Sequence, residues 1–479
     1  MFTTRSKHTT RTAYRLTSAV AVAGVSLLAA GPLAQADTVV WEGADADWFT
    51  GSNWDASAIP GSADDIVFDG SGVNTVDTST PGVGELSEGS TLTFTADQTA
   101  GLTIQSDHVD RRVRLYTGGS QNLGNDAMLT VEAGSGAHTI ERLGYGADSV
   151  NQDWSRIVNN GGTLTINHLT NNAGGTRGVE FDGSGTTVVT DTIGGSKFHV
   201  SGGTLDMQAN PSTNVGWSTD AGTVLTNTSG TTRRIRNNGD TTFAGEISGN
   251  LFYERGRNNF NDNNFTTMLA DNTYAGVTNV NTGTLLVNGS HVGGDNYTVT
   301  ASVINNNEGR TGGGTLGGTG SIDIGGNTVS VSAPLEQGTS GQPWATIAPG
   351  AGDDTETLTL TAASVTFGDF GQFSVEVDAA GLSDLLAING DLNLSSTLNR
   401  LNVSDLGSAF DGSIYTLLTY TGSRTGEFSD VLGLDGTGYS VYYNDAAGSI
   451  QLVPEPASLV LLGAGGLLML RRRSGRQVA

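Results

Sequence analysis

The chain has no cysteine among its 479 residues. Disulfide staples and thiol catalysis are therefore excluded, and stability has to come from apolar burial and backbone hydrogen bonding. Lysine is almost missing as well: beyond Lys7 only Lys197 occurs, which leaves little room for amine chemistry. Positive charge is scarce, with 23 Lys and Arg against 48 Asp and Glu and a formal net charge of −25. Four of the basic residues lie in the first 36 positions and four in the last 27. Residues 37–453 therefore keep 15 basic against 47 acidic side chains, a net charge of −32. Phosphate binding needs basic surface, so nucleic acid and anionic lipid are excluded as partners of this body. Between the two ends there is no long apolar pattern of helical period. No Ser-His-Asp order, nucleophile elbow or His-Glu-x-x-His motif stands out.

Glycine is abundant instead. The 70 glycines are about twice average usage, and Thr, Asn, Ser, Val and Leu accompany them, a composition that favours strands and tight turns. Short alternating segments recur between Gly or Asn turns. Examples are Thr163-Leu164-Thr165-Ile166-Asn167, Thr186-Thr187-Val188-Val189-Thr190 and Thr284-Leu285-Leu286-Val287-Asn288. Such alternation puts one set of side chains in a core and the other in solvent. A Gly-Thr-apolar signature repeats with its threonines at 163, 204, 223, 284 and 315, spaced 41, 19, 61 and 31. The spacings predict repeated coils of no single length, stacked so that neighbours complete one another's core. Asn and Thr at equivalent positions could then form ladders between coils.

The ends read as processing signals. Arg5, Lys7, Arg11 and Arg15 precede an apolar run from Leu16 to Ala30, and Ala34-Gln35-Ala36 follows. This is the order of a signal peptide, cut after Ala36 with Ala34 and Ala36 as the small residues of the site. At the other end, Val453, Pro454, Glu455 and Pro456 lead into apolar Leu459–Leu470, and Arg471, Arg472 and Arg473 follow at once. A helix over that run rises about 18 Å, well short of a ~30 Å hydrocarbon core, which suits a transient anchor. This tail resembles the PEP-CTERM sorting signal of Gram-negative bacteria. The resemblance implies processing by an exosortase-type membrane enzyme after passage through the secretion translocon and signal peptidase.

A second resemblance lies in the body. Asn272-Thr273-Tyr274-Ala275-Gly276-Val277-Thr278-Asn279-Val280-Asn281-Thr282-Gly283-Thr284-Leu285-Leu286-Val287-Asn288 is similar to the autotransporter-associated β-strand repeat. Gly313–Ile322, Ala348-Pro349-Gly350 and Asp384-Leu385-Leu386 continue a passenger-like pattern. The resemblance implies a right-handed parallel β-helix on a cell surface. Autotransporters end in an outer-membrane barrel of alternating strands, whereas this chain ends in a basic sorting tail, so self-translocation is not supported.

The expected protein is all-β. A signal helix (1–36) leads into an N-terminal β cap (37–100), solenoid coils (101–351), terminal coils with a β-rich C-terminal cap (352–452) and a membrane-spanning-type helix in the sorting tail (453–479). The membrane is met only through the end segments. In the cap, Trp41, Trp48 and Trp54 are read as a cover for the open solenoid end, with a sugar-stacking platform as the sharper alternative. His108, His138, His168 and His199, spaced 30, 30 and 31, could stack on one face if coils were of that length; isolated histidines are the plainer reading. Gly317–Asp323 approaches a calcium nonapeptide, but its aspartate falls one position late. No cofactor is implied beyond casual Ca2+ at Asp64-Asp65 or Asp353-Asp354. Two arginine clusters, Arg112 with Arg114 and Arg234 with Arg236, each share a strand face and could contact an acidic extracellular polysaccharide. Charge compensation is the plainer reading of them. Three functions follow: a non-enzymatic surface or matrix protein, a β-helical carbohydrate-active enzyme, and an acidic-polysaccharide-binding surface protein.

Overall fold

Alternating side chains line a continuous interior. In a computed structural model, residues 37–455 are described except 80–86, 108–110, 116–127, 146–153, 172–177, 196, 212–215, 257–263, 304–310, 335–342, 351–354 and 408–409. Among the described residues the regular structure is strand, with two single-turn 3-10 segments at Gly51–Asn53 and Ala379–Gly381. No helix among them is long and apolar enough to cross a membrane. Ala34, Ala36, Pro456, Arg471, Arg472, Arg473 and the helices expected around them lie outside the described residues.

The strands form a solenoid with three faces. Face I is a 17-stranded sheet running the length of the body; faces II and III are formed by an 11-stranded sheet in the first part and a 13-stranded sheet after it. Long strands bend from face II to face III without leaving their sheet. Thr163–Asn171 shifts register between Ile166 and His168, and Thr357–Phe367 does so between Thr361 and Ser364. Pairing is parallel throughout face I apart from a hairpin between Ala301–Val303 and Thr311–Gly318.

Coil length varies, as the uneven Gly-Thr spacings imply. Val179 pairs with Phe198 and Phe198 with Trp217, an advance of 19 residues each time, whereas Leu92 pairs with Leu129, 37 residues on. Thr163 pairs with Thr186 and Thr186 with Thr204, so the spacing of 41 is two successive coils. Thr284 pairs directly with Thr315. The glycines of that signature serve two purposes. Gly283 adopts φ +69° to turn the chain from face III into face I. Gly314 has an ordinary φ, but a Cβ there would collide with the carbonyls of Val280 and Thr300.

Inside, equivalent residues stack. Val179, Phe198 and Trp217 form one buried column, and Ile157, Phe181 and Val200 another. Burying each large apolar side chain contributes roughly 1.5–3 kcal/mol. Polar side chains that enter the interior satisfy corner backbone rather than forming an asparagine ladder. Asn272 accepts from the Ile247 amide at 3.0 Å and donates to the Ala270 carbonyl at 2.8 Å. Asn237 accepts from the Trp217 amide at 2.6 Å, and Asn399 accepts from Ser429 at 2.7 Å.

The repeat-like segment 272–288 is one such coil. Tyr274 is buried, bonds Thr278 Oγ1 at 2.7 Å and stacks on His291 at 4.0 Å. Asp384 of the passenger-like Asp-Leu-Leu accepts the amides of Glu356 and Glu376, each at 2.9 Å, tying neighbouring coils together. Burial raises its carboxyl to about 6.

Both ends of the core are covered. Trp41 and Trp48 pack edge-on against Trp54 at 4.9 and 4.8 Å, and Phe68, Phe94 and His138 continue the aromatic stack. All three tryptophans are buried, which removes the sugar-platform alternative for them. At the other end, Tyr439–Asn444 and Ser449–Pro454 pair antiparallel, and the latter also pairs antiparallel with Tyr415–Tyr420. The reversal ends the parallel stacking on faces II and III. Val453 and Pro454 belong to that last strand, and the Glu455 amide donates to the Gly438 carbonyl at 2.8 Å.

Candidate functional site

Because face I alternates, every second residue of its strands points outward. Four neighbouring coils thereby present a grid of polar groups. Arg156 lies beside Glu180, Glu180 beside His199, and His199 beside Ser218. One row along, Gly178 lies beside Lys197 and Lys197 beside Gly216. Extending the register by a residue or two places Trp154 beside Gly178 and Asp240 beside Gly216.

An open cleft of about 640 Å³ occupies this part of the surface. Trp154, 41% exposed, forms one wall, and the turn carrying Asn238 and Asp240 forms the other. His199 Nδ1 and Ser218 Oγ are 2.8 Å apart, and His199 Nε2 lies 3.4 Å from Asp220. The Trp154 and His199 rings are 6.0 Å apart at 57°. Beneath them, Phe198 and Trp217 pack at 4.6 Å and make the floor rigid. Just outside, Arg156 bonds Asp182 and lies 3.7 Å from Glu180, which also accepts from Ser201 at 2.7 Å.

The arginine clusters sit elsewhere, on face III. Val113, Leu143, Leu169, Ile193 and Pro211 pair in succession, and the strand Arg233–Asn237 lies beside Asn210–Pro211. The two clusters are thus five strands apart, about 24 Å at ~4.8 Å per strand. Arg142 and His168, paired with each other, stand between them. Arg112 reaches Thr170 Oγ1 at 3.4 Å. Arg114 is half-buried on the same outward face. Arg236 is buried and donates to Glu254 at 2.7 and 2.9 Å from two nitrogens, while Arg234 lies 3.8 Å from the same carboxylate. Half of the second cluster is therefore engaged across neighbouring coils.

The histidines do not share a row. His108 lies outside the described residues. His138 is inside the core and pairs with Leu164, His168 is on face III beside Asp191 at 3.2 Å, and His199 is on face I. Variable coil length defeats the 30-residue spacing. Asp64 and Asp65 are taken up by the Gly61 amide and Thr91 Oγ1 respectively, and Asp353-Asp354 lie outside the described residues. Among the described residues no group of three or more His, Asp or Glu is placed to hold a metal ion.

Sequence reasoning missed the cleft. Its residues come from separate coils at uneven intervals, so no spacing marks them. The usable signal is the alternation of Trp154-x-Arg156, Gly178-x-Glu180, Lys197-x-His199 and Gly216-x-Ser218, once each is recognised as a face I strand.

His138 makes acid stability a test of the buried architecture. Its Nδ1 accepts the Leu102 amide at 3.1 Å, its Nε2 bonds Ser135 Oγ at 2.7 Å, and it stacks on Phe94 at 4.2 Å. Burial lowers it from 6.5 to about 4. Between those values the unfolded chain binds a proton that the folded chain refuses, so this residue's contribution to stability falls as pH falls from 6.5 to 4. Thermal midpoints measured across that range should decline less steeply in His138→Asn, which keeps an acceptor for Leu102. An unchanged slope would contradict the assignment.

No family model matches the chain. Over 206 residues, 43% of its length, it is 33% identical to the adhesin BmaC autotransporter of Brucella suis biovar 1 (strain 1330). It spans about 5% of that relative's length. The chain is thus an all-β protein of stacked parallel strands, similar in sequence to a small part of an autotransporter adhesin.

Proposed function

We propose that the chain is an exported, non-enzymatic cell-surface or extracellular-matrix protein, delivered by its two end signals and presenting a right-handed β-solenoid outside the cell. The observation that carries this reading is the likeness to an autotransporter adhesin in a body built as stacked parallel coils. The adhesin's own name supplies the idea of surface adhesion; the Pro454-Glu455-Pro456 tail supplies a route that needs no barrel. In this route the secretion translocon and signal peptidase act first. An exosortase-type enzyme then acts at the tail, whose short helix and Arg471–Arg473 hold the chain briefly at the inner membrane.

The test uses the last strand as its boundary. Because Val453 and Pro454 pair with Ser440 and Tyr439, removal of residues 456–479 leaves that strand whole. In a cell with the sorting enzyme, the truncated chain should be exported past the inner membrane yet fail to reach the surface or matrix in its normal amount. Undiminished surface display, measured by accessibility to an antibody on intact cells, would contradict the proposal.

A second reading is contact with an acidic polysaccharide, favoured by the placement of Arg112, Arg114 and Arg234 on one face with Arg142 between the clusters. On immobilised alginate the full chain should then be retained at low salt and released as salt rises. Arg112→Ala combined with Arg234→Ala should weaken retention about tenfold or more, and the alginate chain length should stay unchanged. Unaltered retention in the double variant would remove the arginines from the contact. Shortened alginate would instead support a carbohydrate-active enzyme.

A further inference from the structure

We propose that the face I cleft between Trp154 and Asp240 is a binding subsite for an uncharged glycan, with the Trp154 indole as its stacking platform. Large aromatic side chains in this protein are normally interior: Trp41, Trp48, Trp54 and Trp217 are all buried. Trp154 is the exception, with 41% of its surface in solvent. Its exposure is built into the strand beside it. A Cβ placed on Gly178 would fall inside contact distance of the six-membered ring of the indole. Glycine at 178 therefore lets one face of the ring lie against the sheet. The ring is supported from behind and lines the cleft, an arrangement that limits the entropy lost on binding.

The shape of the cleft follows from the coils that form it. Val179, Phe198 and Trp217 are linked by two successive advances of only 19 residues. The coils on either side are longer: Ser155 pairs with Val179 and Thr219 with Phe243, 24 residues on in each case. Gly178 and Gly216 add no side chain to the outward row that runs from Trp154 to Asp240. From Trp154 to Asp240 that row crosses four strand spacings, about 19 Å. Its volume of about 640 Å³ lies within the ~300–1,000 Å³ range of small-molecule sites.

The chemistry of the lining selects the ligand class. A pyranose ring has an apolar C–H face that can leave water against an indole and a rim of hydroxyls that both donate and accept. The rim meets acceptors at Asp220 and Asp240, a donor at Lys197, and the paired His199 and Ser218, which can do either. The two carboxylates offset the single ammonium, and the body as a whole is strongly acidic. A uronate or phosphate polymer would face repulsion here, whereas an uncharged chain would not. The subsite is distinct from the face III arginines and does not depend on where the protein resides.

The experiment titrates the purified full chain, followed by tryptophan fluorescence and calorimetry, with cellohexaose, laminarihexaose, xylohexaose, maltohexaose and mannohexaose, and with hexagalacturonate as the anionic comparison. At least one uncharged hexaose should bind with Kd on the order of 1 mM or tighter, and hexagalacturonate should bind more weakly. Trp154→Ala should weaken the bound sugar about tenfold or more while leaving the circular dichroism spectrum unchanged, because the side chain is half in solvent. Gly178→Ala, which displaces the ring without removing it, should weaken binding as well. Arg112→Ala should leave it unaffected. Absence of binding by all five uncharged sugars, binding that survives Trp154→Ala undiminished, or a preference for hexagalacturonate would each overturn the proposal.

Discussion

Everything in this molecule depends on hydrogen bonding from one coil to the next. Face I strands bond to strands that are 19 to 37 residues away in sequence, not to their chain neighbours. No coil closes its own backbone or fills its own interior; the columns of Val179, Phe198 and Trp217 exist only because the strands stack. Two consequences follow. The ends must be covered, which the buried tryptophans accomplish at one end and the antiparallel strands at the other. The outward face of each strand is also free to vary, because the core takes only alternate residues.

That freedom separates stability from surface chemistry. Buried polar groups such as Asn237, Asn272, Asp384 and His138 look like sites when taken singly. Each instead satisfies backbone at a corner or between coils. Outside, the groups that converge do so because coil lengths change: short coils next to long ones leave a trough, and glycines without side chains deepen it. The same rule places Arg236 against Glu254 on the adjoining strand, where the pair joins two coils.

Much of the fold was legible in the sequence for this reason. Alternation at Thr163–Ile166 and Thr284–Val287 identified strands, the Gly-Thr pairs identified where strands begin, and Trp41, Trp48 and Trp54 marked the closed end. Registers between coils were not legible. Thr163 to Thr204 looked like one interval and is two, and the histidine series at 138, 168 and 199 is spread over the core, face III and face I. The cleft was hidden by the same variation, because Trp154, Lys197, Asp220 and Asp240 become neighbours only after three unequal advances. The arginine clusters were correctly seen as pairs on a strand face, but the cover over Arg236 comes from Glu254, 18 residues away.

The register itself is open to direct measurement, since a chain with no cysteine accepts engineered pairs without competition. Thr284 and Thr315 occupy adjoining parallel strands, and Thr346 lies one strand further. Neighbouring strands are about 4.8 Å apart, inside the ~4.4–6.8 Å Cα range that a disulfide tolerates, and two spacings lie outside it. Oxidation should crosslink Thr284→Cys with Thr315→Cys within one chain and leave Thr284→Cys with Thr346→Cys open. Crosslinking of the second pair but not the first would contradict the stacked-coil account.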